Sequence, residues 1–350
     1  MRHNRLLRMP VLLGLIFGCA LVFGQKTESA SQAEALVRRA QQAIERDDFQ
    51  SALHDLRAAQ ELAPENPEIL RPLLLSCLQT GQLEDAIKTG RQAGALFPRD
   101  PDVHHWLALA YFKAGHAEAA RAEFQDAEKL APSNFDIHFD FALLMLSGKD
   151  YGSAARELES ALRLKPSDAL AHTLLGRAYQ NTNRTLEAIE QFRAALRDDP
   201  AVPMGHYNLG FAYASLGKNS EAIAQYESEL AHSPDNPEVQ YQLGHCLLES
   251  GDWKSALVHL QRATELDRRN SSAFYELGKA LMLGGEATPA ITAWQKAAEA
   301  NPADPSPHYQ LARALEKTGQ REAAQQEWQR FAELKKANPA TGGMATGRTQ

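Results

Sequence analysis

Five histidines share one register. His104, His138, His172 and His206 follow one another at intervals of 34 residues, and His308 falls three intervals further on. A row of imidazoles could be a set of metal sites or a pH sensor. Zinc needs ligands converging at ~2.0–2.3 Å, whereas helices packed side by side lie ~8–10 Å apart. One histidine per helix therefore cannot converge on an ion, and the spacing predicts half-buried packing histidines with no metal site. The other reactive types point the same way. Asp47-Asp48 and Asp198-Asp199 sit at turns or helix ends, where they are solvated. The sequence has no HExxH, no CxxC, no phosphate-binding glycine loop and no nucleophile elbow. No catalytic residue and no cofactor is expected.

The histidine interval is the period of the whole chain. Alanines recur every 34 residues from Ala52 through Ala86, Ala120, Ala154, Ala188, Ala222, Ala256 and Ala290 to Ala324. Prolines follow twelve residues later at Pro64, Pro98, Pro132, Pro166, Pro200, Pro234 and Pro302. Such a period marks a stack of equivalent units. Counted from residue 33, nine repeats run to residue 338 without an insertion. Position 8 is small (Ala108, Gly176, Gly210, Gly244, Gly278), as are positions 20 and 27. Positions 7, 11 and 24 are large, as in Leu175, Tyr179 and Phe192. This is one apolar stripe per helix. Position 34 offers the N-cap types Asn66, Asp100, Asn134, Asp168, Asn236, Asn270 and Asp304. Position 15 is often the helix-stopping glycine. Each repeat reads as helix A (positions 1–14) and helix B (positions 18–31), giving an all-α chain of eighteen helices.

Three breaks stand out. Pro72 lies inside helix A of repeat two, and Gly90 occupies its position 24, which predicts a kinked and loosely packed pair. Val202 is no N-cap residue. Trp328 and Phe331 of the last helix have no following repeat, which predicts partial burial and possible self-association through the C-terminal unit.

On these residues the chain resembles the tetratricopeptide repeat (TPR) family of the exported bacterial type. Leu175-Gly176, Tyr179, Ala188, Phe192 and Pro200 match the family pattern. The resemblance implies an α-solenoid, a right-handed superhelix of about nine units whose A helices line a concave groove. It implies a non-enzymatic scaffold that binds a protein or peptide there. In the family, positions 2, 5, 9, 12 and 13 tend to face the groove. Carried over, repeats two to four show Leu75, Leu78, Leu109, Phe112, Phe139, Leu143 and Leu146. Repeats six to nine show Tyr207, Tyr241, Tyr275 and Tyr309 at position 5, and Arg177, His245, Lys279 and Arg313 lie at position 9 beside or among them. Thr173 and Arg177 depart from the carboxylate-clamp pattern, so a chaperone-tail receptor is not expected. The alternative role is an accessory subunit of an envelope enzyme or of a polysaccharide or protein export machine.

Arg2, Arg5 and Arg8 precede a thirteen-residue apolar run, Val11 to Phe23. This reads as a signal peptide over residues 1–24, followed by a short segment, 25–32. The run is shorter than the ~20 residues of a spanning helix. The expected location is the periplasm or cell envelope, with a lipid-anchored Cys19 or an uncleaved membrane anchor as the alternatives. Loss of the three arginines takes the net charge of −7 to −10, which excludes an electrostatic footprint for nucleic acid. Cys77 and Cys246 lie five repeats apart, so free buried thiols are expected. Residues 339–350 read as a disordered tail.

Overall fold

The computed structural model describes residues 29–337 apart from Glu65. The expectations for residues 1–28, Cys19 among them, and for the tail lie outside the described residues. Among the described residues there are eighteen α-helices and no strand, the all-α solenoid of helix pairs that the period predicts.

The chain divides into two compact bodies, meeting in sequence at Pro166 and Ser167. The N-terminal body holds repeats one to four. Its helices are α1 (29–44), α2 (Phe49–Leu62), α3 (Leu70–Gln79), α4 (Leu83–Leu96), α5 (Pro101–Lys113), α6 (Ala117–Leu130), α7 (Phe135–Ser147) and α8 (Tyr151–Leu164). The C-terminal body holds repeats five to nine. Its helices are α9 (Ala169–Asn181), α10 (Thr185–Asp198), α11 (Gly205–Ser215), α12 (Asn219–His232), α13 (Pro237–Glu249), α14 (Trp253–Leu266), α15 (Ser271–Leu283), α16 (Ala287–Ala300), α17 (Ser306–Lys317) and α18 (Arg321–Ala337).

The punctuation acts as its chemistry requires. Asp100 accepts from the backbone N–H groups of Asp102 (3.0 Å) and Val103 (3.4 Å), and Asn236 serves Glu238 (3.1 Å) and Val239 (3.2 Å) in the same way. Position 15 is left-handed in all nine repeats. Six use glycine, with φ between 70° and 88°, while Asp47, Lys149 and Asn183 take φ of 56° to 60°. The turn geometry belongs to the repeat, and glycine is only its least strained occupant.

Between the two helices of a repeat, position 8 of helix A meets position 24 of helix B. A Cβ on Gly176 would lie 2.5 Å from Phe192, and one on Gly210 would lie 2.8 Å from Tyr226. Absence of a side chain at position 8 is thus what admits the ring. Repeat two corrects the expectation of loose packing. There the order is reversed: Leu74 stands at position 8 and is fully buried, and Gly90 at position 24 receives it. A Cβ on Gly90 would lie 3.2 Å from Leu74 and 2.8 Å from Leu107, so the space is filled. Pro72 does not kink a continuous helix either. Residues Pro67–Ile69 form a 3-10 turn, and α3 starts at Leu70, which puts Pro72 in the first helical turn where its missing N–H costs nothing.

Repeat six handles its missing cap differently. Met204 takes a left-handed conformation (φ 59°) and α11 begins only at Gly205. The cap comes from the other helix: Glu229 on α12, 7% exposed, accepts the Tyr207 backbone N–H at 3.1 Å. Position 27 is alanine in neighbouring repeats (Ala195, Ala263), so this glutamate is the replacement for the absent Asn or Asp.

Candidate partner-binding face

The histidine ladder, at position 4, lies beside this face. At position 4, His104 and His138 use Nδ1 to meet Glu123 and Glu157, each at 2.7 Å. His172 and His206 meet Gln191 (2.7 Å) and Gln225 (2.8 Å), and His308 meets Glu327 (2.6 Å). In repeat seven the pair is swapped, with Gln240 on helix A and His259 on helix B, 2.8 Å apart. On the other side, His138 Nε2 donates to the Pro132 carbonyl at 3.0 Å, and Gln240 makes the same bond to Pro234 at 2.8 Å. The ladder therefore latches helix A to helix B and to the preceding loop. Hydrogen bonding to Glu157 raises the pKa of His138, whereas burial lowers that of His259. Burial also raises Glu128, which lies near Glu157.

Among the described residues the two thiols, Cys77 and Cys246, are free and buried, and burial pushes each pKa up to about 11. Such thiols are protonated and unreactive at neutral pH.

The A-helix face of the N-terminal body gathers apolar side chains. Phe139, Leu143 and Leu146 stand at i, i+4 and i+7 on α7, one side of that helix. Leu109 and Phe112 take the matching places on α5, and Leu75 on α3. The helices α3, α5 and α7 are neighbours in turn. All six of these residues are half-buried. Leu109, Phe112 and Leu146 rest on a core that includes Phe124 and Phe141, and Phe139 stacks on Phe135 at 5.5 Å. Leu78 is the exception. It is 1% exposed, packed in one core with Leu74, Val103 and Ala110, so it is an interior residue and not part of the face. Leu248, at the same position 12, is also buried. That position lies at the border between face and core.

The C-terminal body carries a different face. Two of its position-5 tyrosines, Tyr207 and Tyr275, tie one A helix to the next. The Tyr207 hydroxyl lies 3.5 Å from Glu238, and Tyr275 accepts from Gln310 at 3.2 Å. Burial and the Glu238 charge push Tyr207 up to about 12, so it remains a donor. Arg71 to Asp102 (2.8 Å) and His105 to Asp140 (2.8 Å) make equivalent ties in the other body. Tyr309, in the last repeat, is 36% exposed and packs on Trp328 (5.4 Å) and Phe331 (5.5 Å), both half-buried. At position 9, Arg177 and Arg313 are exposed, and Phe211 is a 41%-exposed aromatic beside them. Lys279 is held by Glu276 at 2.7 Å, and His245 lies 3.8 Å from the same carboxylate. The basic accents are therefore partly neutralised within the face.

One feature escaped sequence reasoning. Leu62, Leu96, Leu130 and Leu164 are the last residues of the four B helices of the N-terminal body and are 37% to 59% exposed. They recur at 34 residues, so the signal was present. It was hidden because an apolar helix end looks like core. Leu96 also borders a cleft of about 780 Å³ lined by Arg57, Pro64, Leu70, Leu73 and Thr89.

Comparison with known proteins fits this arrangement. Sequence models described as Tetratricopeptide repeat match residues 37–101, 78–138, 173–237 and 213–281. The chain belongs to the tetratricopeptide repeat family. A model described as Bacterial transcriptional activator domain also matches, over residues 251–337. Among solved structures, Pseudomonas aeruginosa pilF is similar at 19% identity and TM-score 0.53, over 62% of this chain and 99% of that one. PilW, a type IV pilus biogenesis factor, is similar at 24% identity and TM-score 0.51, over 59% and 95%. A TPR protein from Parabacteroides merdae is similar at 18% identity and TM-score 0.50, over 72% and 99%. At these identities the likeness is one of fold. No curated protein matches. TPR families are in general non-enzymatic scaffolds, and the fold of this chain is one that supports protein–protein interaction.

Proposed function

We propose that this TPR protein binds a protein or peptide on the A-helix face of its N-terminal body, by apolar anchors, and performs no chemistry itself. The observation that carries this reading is the shared apolar side of α5 and α7: Leu109, Phe112, Phe139, Leu143 and Leu146, half-buried and adjacent. Apolar surface gathered in one place on a soluble chain marks an interaction site, and a few such anchors supply most binding energy. The buried, protonated thiols support a binding role over a catalytic one. The basic n-region and the apolar run up to Phe23 support a setting in the periplasm or cell envelope. No helix among the described residues is long and apolar enough to cross a membrane.

The test is selection of binders from a random peptide library on the purified chain. The expected peptides carry spaced apolar anchors. Phe139→Asp with Leu143→Asp removes their binding and leaves far-UV circular dichroism unchanged. Equal binding to wild type and variant refutes the site. Loss of helicity in the variant means these residues are core.

A further inference from the structure

We propose that Glu128, His138 and Glu157 form a binding site for one divalent first-row transition ion, with zinc as its representative, where α6 meets α7 and α8. The ligand atoms of the three residues lie within 4.8 Å of one another. A tetrahedral ion holding ligands at ~2.1 Å separates them by about 3.4 Å, so closure asks about an ångström of side-chain movement. His138 is 4% exposed, and Glu128 and Glu157 are half-buried.

The imidazole is already held for this task. Its Nε2–H donates to the Pro132 carbonyl at 3.0 Å. Once Nδ1 is deprotonated, that bond keeps the ring proton on Nε2 and turns the Nδ1 lone pair towards Glu157, as an outer partner does for a metal-bound histidine. Without an ion, Nδ1 carries a proton shared with Glu157 at 2.7 Å. The ion takes the place of that proton, which leaves to solvent. Two carboxylates and one imidazole suit a borderline cation better than a soft one.

The third ligand singles out this one latch among six. Glu128 is at position 28 of repeat three. The same position is Gly94 ahead of His104, Leu162 ahead of His172, Leu196 ahead of His206 and Ala298 ahead of His308. Histidines of neighbouring repeats cannot converge on one ion. The converging groups are instead carboxylates from the B helices on either side. The α6–α7 junction is also more thinly packed than the α4–α5 junction of the same body, and an ion bridging Glu128 to α7 and α8 pins it.

The test uses the full chain, stripped with EDTA and titrated with Co²⁺ under visible absorption, then with Zn²⁺ by calorimetry. The expected result is a d–d spectrum that saturates at one ion per chain and is abolished by Zn²⁺. Glu128→Gln, His138→Gln and Glu157→Gln each weaken binding roughly tenfold or more. The fold tolerates these changes by its own precedents: Gln240 replaces histidine and Gln191 replaces glutamate in sister latches. Glu123→Gln, beside His104, leaves binding unchanged. Absence of d–d bands at one equivalent, or a titration unaffected by Glu128→Gln, overturns the site.

Discussion

Position 9 of helix A is Gln41 in repeat one and Leu75, Leu109 and Leu143 in the rest of the N-terminal body, but Arg177, Phe211, His245, Lys279 and Arg313 in the C-terminal body. Both bodies repeat the same helix pair with the same left-handed turn at position 15. Inside the helix pair the residues are bound to each other: a ring at position 24 requires a glycine or alanine at position 8. On the outward face nothing imposes such a pairing. The fold is therefore held by one set of positions, and the binding chemistry is written on another. The apolar face of the first body can anchor a partner, while in the second body tyrosine ties and ion pairs such as Lys279–Glu276 absorb much of the polar character.

The contrast can be broken at its interior first. Leu74→Ala in repeat two should cost about 3 kcal/mol of N-terminal body stability, because the knob runs from helix A there and nothing else fills the space. Leu74→Gly with Gly90→Leu restores the order used in the C-terminal body and should recover most of the loss. Urea unfolding followed by hydrogen exchange measures both. Next in size, Glu229→Ala should lower C-terminal body stability by about 1 kcal/mol. That substitution restores the residue usual at position 27, so a stabilising outcome would mean that Glu229 does not cap α11.

The pH response sharpens the contrast further. Burial holds His259 below its ordinary pKa, so the folded state favours the neutral ring. That contribution is complete above the unfolded value of ~6.5 and is lost as pH falls through the folded one. Melting of the C-terminal body between pH 8 and pH 5 should therefore drop more in wild type than in His259→Gln. The smallest effect is at the turn. Lys149→Gly should stabilise the N-terminal body by about 0.5 kcal/mol, relief of left-handed strain exceeding the added chain entropy. Gly251→Lys in the other body should do the reverse.

The period alone made the helix pairs, caps and turns legible, because each rests on a local preference repeated nine times. What it hid were exchanges between positions. Gly90 read as a void because its partner Leu74 was not paired with it. Glu229 was unremarkable until Val202 left a helix start uncapped. The position-5 tyrosines look like ligand anchors within one repeat, yet the hydroxyls of Tyr207 and Tyr275 reach the next repeat, which no single repeat can reveal. Leu78 was assigned to the face by family register, yet its position borders the core of the following repeat. Glu128 sits one repeat before the histidine it approaches.

Site-specific photocrosslinking in the native cell tests the central claim most directly. A benzophenone side chain replaces Leu143 on the apolar face, Arg313 on the C-terminal face, or Val258 on the exposed side of α14. The expected result is an adduct of one defined mass from position 143, removed by Phe139→Asp and absent from position 258. Equal adducts from 143 and 258, or adducts from 313 alone, would contradict it.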